Sequence, residues 1–184
     1  MPDASETFYK LIWPHSATLL RVAQVLCRNE ADAEDLVQET LVKAYRHVDQ
    51  FTQGTDARRW LMTILRNTRI DRVRTLAGQK TPISIEQAEM DPAAPATVSD
   101  TSSTWADPNA MLENLSDQMM IEALLEVPEE IRWSLLLVDV EGLELADAAG
   151  IMEIPVGTVK SRLHRGRRML REKLQSRTDS GGAR

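Results

Sequence analysis

The sequence predicts an all-α protein: two small helical domains joined by a flexible acidic linker. Three observations carry this. Apolar residues recur at three- and four-residue steps in both halves, and no alternation long enough for a sheet or internal repeat interrupts them. Segment 77–110 is rich in Pro, Ala, Ser, Thr and Asp without a sustained period, the composition of a tether. Charge is also divided along the chain. The net charge of −6 hides a local +6 over residues 57–80 and +7 over 156–177, while residues 81–130 carry eleven carboxylates and no Lys or Arg. Two basic islands in an acidic chain point to two nucleic-acid contacts more clearly than the overall pI does.

Residues 5–27 read as an amphipathic helical stretch on Phe8, Leu11, Ile12, Leu19, Leu20, Val22, Ala23 and Leu26, broken or kinked near Pro14. Asn29 or Asp32 can cap the next helix, whose buried stripe is Leu36, Val37, Leu41, Ala44, Tyr45 and Val48. Asp32, Glu34, Asp35 and Glu39 suit a helix N-terminus electrostatically. Asp35 and Glu39, one turn apart, also suit a partner with a basic surface.

After the loop Asp49 to Asp56, a third helix places Trp60, Leu61, Ile64, Leu65 and Thr68 on one side. Arg59, Arg66 and Arg69 project largely from the other, as a candidate nucleic-acid face. Trp60 could stack on an unpaired base, but its place in the apolar stripe favours a core role. The linker follows, with Trp105 inside it.

The stretch LELADAAGIMEIPVGTVKSRLHRGRRMLREKL, Leu143 to Leu174, reads as a helix-turn-helix. Leu145, Ala148 and Ala149 make a short first helix, and Pro155 marks the start of the second. Val159, Leu163, Gly166, Leu170 and Leu174 form its packing stripe. Lys160, Ser161, Arg162, His164, Arg165, Arg168 and Arg171 lie on or near the other face. Basic amphipathic helices also serve membrane surfaces and partner proteins. The preceding helix and turn favour a DNA major groove, where such side chains hold phosphates and read guanine edges.

Composition excludes other classes. The lone Cys27 allows no internal disulfide framework or Cys-cluster metal site, and reads as a small buried residue. His15, His47 and His164 are dispersed and no glycine-rich phosphate loop is present, so neither enzymatic activity nor a cofactor is expected. No apolar run approaches a bilayer span and no signal core opens the chain, so a cytoplasmic location without membrane insertion is expected.

Taken in order, these motifs resemble the extracytoplasmic-function (ECF) sigma factors, promoter-specificity subunits of bacterial RNA polymerase. DAEDLVQETLVKAYRHVDQF (Asp32 to Phe51) is similar to the family's polymerase-binding helix, and WLMTILRNTRIDRVR (Trp60 to Arg74) to its promoter-melting helix. IPVGTVKSRLHRGRRML (Ile154 to Leu170) is similar to its recognition element. The resemblance implies a sigma region 2-like bundle over 1–76, the linker 77–110, a region 4-like helix-turn-helix domain over 111–177 and a disordered tail over 178–184.

It further implies that Asp35, Gln38 and Glu39 face core polymerase, and that the loop 49–58 with Arg59, Arg66, Asn67 and Arg69 handles the minus-ten element. Thr158, Lys160, Ser161, Arg162, His164, Arg165 and Arg168 would then read the minus-thirty-five element. The implied partners are bacterial core RNA polymerase, promoter DNA and an anti-sigma factor, in a stress or envelope response, and the linker would thread toward the RNA exit path. A free-standing helix-turn-helix regulator is the alternative. One departure stands out. Where the family often has Gly in the turn before the recognition helix, this chain has Glu153, which is strained if that site needs positive φ.

Overall fold

The computed structural model describes residues 4–52, 54–78 and 118–181, the last five as backbone only. Every regular element among them is helical. The first half begins with α1 (Ala4–Thr7), which runs into a π-helical turn at Phe8–Ile12 and a 3₁₀ turn at Trp13–His15. Pro14 sits inside that 3₁₀ turn, where its missing donor and fixed φ break the helix before α2 (Ser16–Leu26) begins. The bundle is completed by α3 (Glu30–Arg46) and α4 (Ala57–Leu76).

Side-chain caps set both starts. Asn29 Oδ1 accepts from the Asp32 amide at 2.7 Å at the head of α3, and Asp56 Oδ1 accepts from the Arg58 amide at 2.8 Å at the head of α4. The α3 stripe is buried as the spacing predicts at Leu36, Val37 and Ala44, together with Ala33 and Thr40; Leu41 is partly buried, and Val48, also buried, lies beyond the helix in a 3₁₀ turn at Val48–Gln50. Tyr45 is a correction. It is 45 % exposed, resting its ring edge-on against Phe8 at 5.2 Å with its hydroxyl 3.1 Å from Ser5 Oγ. An amphipathic ring can satisfy the helical period while keeping its polar tip in water.

The second half comprises α5 (Gln118–Leu125), α6 (Glu129–Leu135) continuing through a π-helical turn at Leu136–Val140, α7 (Leu145–Met152) and α8 (Val156–Gly181). The expected packing stripe of α8 is confirmed. Val159, Leu163, Gly166 and Leu170 are buried, and Leu174 packs partly against the core. The helix backbone runs to Gly181, into the segment 178–184 that the sequence assigns to a tail. The greater part of the linker, with Trp105, lies outside the described residues.

Glu153 closes α7 in the left-handed conformation, φ 56° and ψ 41°, so the condition under which a side chain there is strained is met. Its amide and that of Ile154 cap the carbonyls of Gly150 and Ala149. Glu153→Gly should therefore stabilise the protein by about 0.5–1 kcal/mol in a thermal or denaturant melt, because glycine adopts this conformation without a Cβ penalty.

The halves do not sit apart. A single cluster of buried apolar side chains spans both, α2 packs on α5, and α4 packs on α7. Two ionisable side chains among the described residues are buried with the cluster. Arg132 is 7 % exposed, and its guanidinium donates to Leu125 O and Val127 O, both at 2.7 Å, and across the seam to Val25 O at 3.0 Å.

The other is Glu141, 7 % exposed, whose Oε1 has no hydrogen-bond partner among the described residues. Burial pushes its carboxyl above the usual range, against the opposing pull of Arg21 and Arg58. The folded state thus holds this proton more tightly than the unfolded chain. Its contribution to stability is most favourable below the unfolded pKa and declines as pH rises through the raised folded value. Glu141→Gln should accordingly melt higher than wild type near pH 7, by about 1 kcal/mol, with the difference closing toward pH 4. No described helix is long and apolar enough to cross a membrane.

Candidate nucleic-acid interface

The turn between α7 and α8 aims the start of α8 outward. Pro155 O accepts from the amides of Thr158 and Val159, at 2.9 and 3.2 Å, so the helix is wound from its first turn. Because Val159, Leu163 and Gly166 face the core, Lys160, Ser161, His164, Arg165 and Arg168 fall on the exposed side together, as the sequence predicts.

Their surroundings differ. Ser161 Oγ donates to Thr158 O at 3.0 Å, and Thr158 itself is half-buried. Arg168 lies 3.9 Å from Glu172 in a loose pair. Arg162 is drawn aside, only 17 % exposed in its side chain, donating to Glu130 Oε2 of α6 at 3.1 Å. Arg167, which the sequence reading passes over, is bound through Nε to Asp139 Oδ2 at 3.0 Å, and that bond holds its guanidinium charge more firmly. Its role is to tie α8 to the π-helical turn.

The face on α4 departs from expectation in its setting. Arg59, Arg66 and Arg69 do leave the buried side of the helix, but they meet the other half of the protein: Arg66 and Arg69 are partly buried, while Arg59 keeps 52 % of its side chain exposed. Arg59 Nη1 lies 2.6 Å from Asp147 Oδ1 of α7. Arg69 makes a two-pronged contact with Glu129 of α6, Nε and Nη2 each donating at 3.1 Å. That pair raises the Arg69 pKa against its partial burial.

Arg66 is half-buried, and burial lowers its pKa, with Glu153 acting in the opposite sense and Arg162 and Arg74 adding repulsion. Asn67 is exposed. Trp60 packs at 5.3 Å from Phe51, in keeping with its core role. The missed signals are on the acidic side. Asp147 and Glu129 look in sequence like ordinary first-turn helix carboxylates, and nothing in their spacing names an arginine on another element.

On α3, Asp35 and Gln38 are exposed. Glu39 is engaged within the bundle, accepting from Arg72 Nε at 2.9 Å with Lys43 Nζ at 3.1 Å. Partial burial opposes its ionisation, but the bonds from Arg72 and Lys43 outweigh this and hold the carboxyl below the usual range. The three acidic-face residues are therefore not equivalent: two are open and one braces α3 against α4. Elsewhere in the same half, the segment before α4 borders a cleft of about 410 Å³, lined among others by Lys10, Pro14, His15, Phe51, Thr55 and Asp56.

Comparison with known proteins agrees with this layout. Residues 11–78 match Sigma-70 region 2, and residues 117–170 match Sigma-70, region 4. The chain is 34 % identical over 161 residues to the ECF RNA polymerase sigma-E factor of Haemophilus influenzae, covering 84 % of this chain and 82 % of that one. It is 33 % identical over 151 residues to the ECF RNA polymerase sigma factor SigW of Bacillus subtilis, covering 80 % and 78 %.

With the SigE factor of Mycolicibacterium smegmatis it shares 31 % identity over 174 residues, spanning 93 % of this chain but 63 % of that longer relative. Among solved structures, the sigma factor RpoE of Bartonella quintana, in complex with the anti-sigma factor NepR, is similar with a TM-score of 0.65 and 28 % identity. That match covers 91 % of this chain and 96 % of the other. With two sigma regions in order along it and relatives matched over most of their length, the chain belongs to the ECF family of RNA polymerase sigma factors.

Proposed function

We propose that this chain is a noncatalytic subunit that joins bacterial core RNA polymerase and directs it to promoters through two separate DNA contacts. The observation that carries this reading is the recognition helix α8. It follows a tight turn after α7, has Val159, Leu163, Gly166 and Leu170 of its packing stripe buried in the core, and holds Lys160, His164, Arg165 and Arg168 outward. A surface so arranged fits the major groove at the minus-thirty-five element, with Thr158, Ser161 and Arg162 flanking the contact.

The minus-ten contact belongs to the other half. Arg59, Arg66, Asn67 and Arg69 of α4 would hold the backbone of the opened strand. The cleft beside the loop 49–58 offers a concavity next to Lys10 where an unstacked base can lodge. Polymerase would be engaged by α3 through Asp35 and Gln38, with Glu39 in support. An anti-sigma factor is a further partner, as for the Bartonella relative.

The test is transcription of fragmented DNA from the source genome by bacterial core RNA polymerase, with and without this protein, with transcript starts mapped by sequencing. New discrete starts preceded by two spaced shared motifs are expected. No stimulation, with tight sequence-specific binding by the protein alone, would indicate a free-standing regulator. The two surfaces should also separate by mutation. Asp35→Lys should weaken polymerase binding by tenfold or more, about 1.4 kcal/mol or above, and leave upstream duplex binding intact. Arg165→Ala should spare polymerase binding and weaken upstream recognition by about 1–3 kcal/mol, read by titration of the mapped promoter.

A further inference from the structure

We propose that Arg72 of α4 is a positioning residue for strand capture. Its guanidinium, held by Glu39 and by the Asp32 carbonyl, sets the strand-holding residues of α4 at a fixed angle to the polymerase-facing side of α3. The proposal rests on the functional reading above and adds to it a residue assigned to neither partner.

The apolar core locates only part of α4. Its buried residues are Ala57, Leu61, Met62, Leu65 and Thr68, and none of 69–78 is buried. Arg66, Asn67 and Arg69 lie where that buried stretch ends. Beyond it the helix is located by polar ties. Arg72 Nε donates to Glu39 Oε2 at 2.9 Å, and its Nη1 donates to Asp32 O at 3.3 Å. Beside it, Asp71 Oδ2 lies 3.4 Å from Lys43 Nζ, which also pairs with Glu39 at 3.1 Å. Arg69 is tied as well, but to Glu129 in the other half, so it gives α4 no bearing on α3.

These ties are directional where the core is not. Apolar burial brings two helices together but scarcely resists a slide or a small rotation. Residues 32 and 39 stand two turns apart on α3, about 10 Å of helical rise. A planar guanidinium bonded to both at once fixes the angle and the register of α4 against α3. Asp35 and Gln38 share α3 with Glu39, so a tilt of α4 would carry Arg66, Asn67 and Arg69 away from their place relative to a polymerase seated there.

The side chains of Arg72, Lys43 and Glu39 are 30–38 % exposed, and ion pairs so placed contribute little to stability. Loss of the tie should therefore be read in DNA opening and hardly in a melt. The full-length variants are Arg72→Ala and the exchanged pair, Glu39→Arg with Arg72→Glu. Each is assayed with bacterial core polymerase on the promoter mapped above. Polymerase affinity and upstream duplex binding are titrated. Strand opening is read as the permanganate reactivity of unpaired thymines, with polymerase and protein saturating.

Arg72→Ala should bind polymerase and the upstream duplex within about twofold of wild type, and open the promoter at least about fivefold more slowly. The exchanged pair should restore opening, because the tie is remade with its ends reversed. Opening by Arg72→Ala at the wild-type rate would overturn the proposal. Failure of the exchange to restore opening would overturn it too, with Arg72 then holding the strand itself. If the exchanged protein melts below wild type, Glu39→Ala, Arg72→Ala and their double variant decide the matter. A joint defect no larger than the greater single one supports the tie, and summed defects overturn it. A failure of the functional reading is distinguishable, since wild type itself would then open no promoter with core polymerase.

Discussion

Replacing Arg132 with alanine should lower the unfolding free energy by about 3 kcal/mol or more, read as a fall in denaturant midpoint at unchanged slope. The side chain satisfies three main-chain carbonyls, those of Leu125, Val127 and Val25. The first two terminate α5 and the turn after it, and the third closes the last turn of α2 in the other half. Truncation would strand those acceptors in a region where the replaced residue is 7 % exposed, and each buried acceptor without a donor costs about 1–3 kcal/mol. Arg132→Lys should recover only part of the loss, because one ammonium cannot reproduce the fork that reaches carbonyls on two elements. A variant as stable as wild type would show that water replaces the guanidinium.

The second large effect is expected at Gly166. A Cβ built there would come within 2.7 Å of Ile131 Cγ2 and 3.0 Å of Leu135 Cδ1, so α8 and α6 approach as closely as they do because this residue has no side chain. Gly166→Ala gains about 1 kcal/mol of helix propensity and loses about 1–3 kcal/mol to overpacking, a small net loss. Gly166→Val adds two further methyl groups at the tightest point of the contact and forfeits part of the propensity gain. It should cost more than 3 kcal/mol and displace α8 from its seat. Thermal melts of the two variants give the order, and loss of upstream DNA binding in the valine variant alone would show that this contact sets the position of the recognition helix.

The helices were legible from period and punctuation. Asn29 capping α3, Pro14 breaking the first helical stretch and Pro155 beginning α8 are local decisions, made by residues close to the backbone they control. The turn at Glu153 was flagged only by the resemblance to a family that often has glycine there, and its positive φ was left conditional. What sequence did not reveal is relational. Arg59 and Arg69 read as a free basic face because a period says which side of a helix is polar and nothing about what lies opposite.

Tyr45 fits an apolar stripe by position, yet its ring ends at the surface. Arg132 did leave a trace, as a lone charge between Ile131 and Trp133 in an otherwise apolar run. A guanidinium in such a run must find acceptors; two of them, Leu125 O and Val127 O, are close in sequence, but the third, Val25 O on α2, is far away. For the candidate site, residue types and their placement on α8 were visible, whereas the unequal engagement of Asp35, Gln38 and Glu39 required the neighbouring helix.

The apolar core that runs from Phe8 to Leu170 without dividing between the halves has a further consequence. Two regions that sequence presents as separate beads share one cooperative unit, so neither keeps its full protection once the seam is parted. Exposing that seam sacrifices apolar burial, at about 25 cal/mol for each Å² uncovered, unless a partner covers the same surface. An opened chain without polymerase is therefore also a chain offered to proteases. The lifetime of the protein is therefore set where its halves meet.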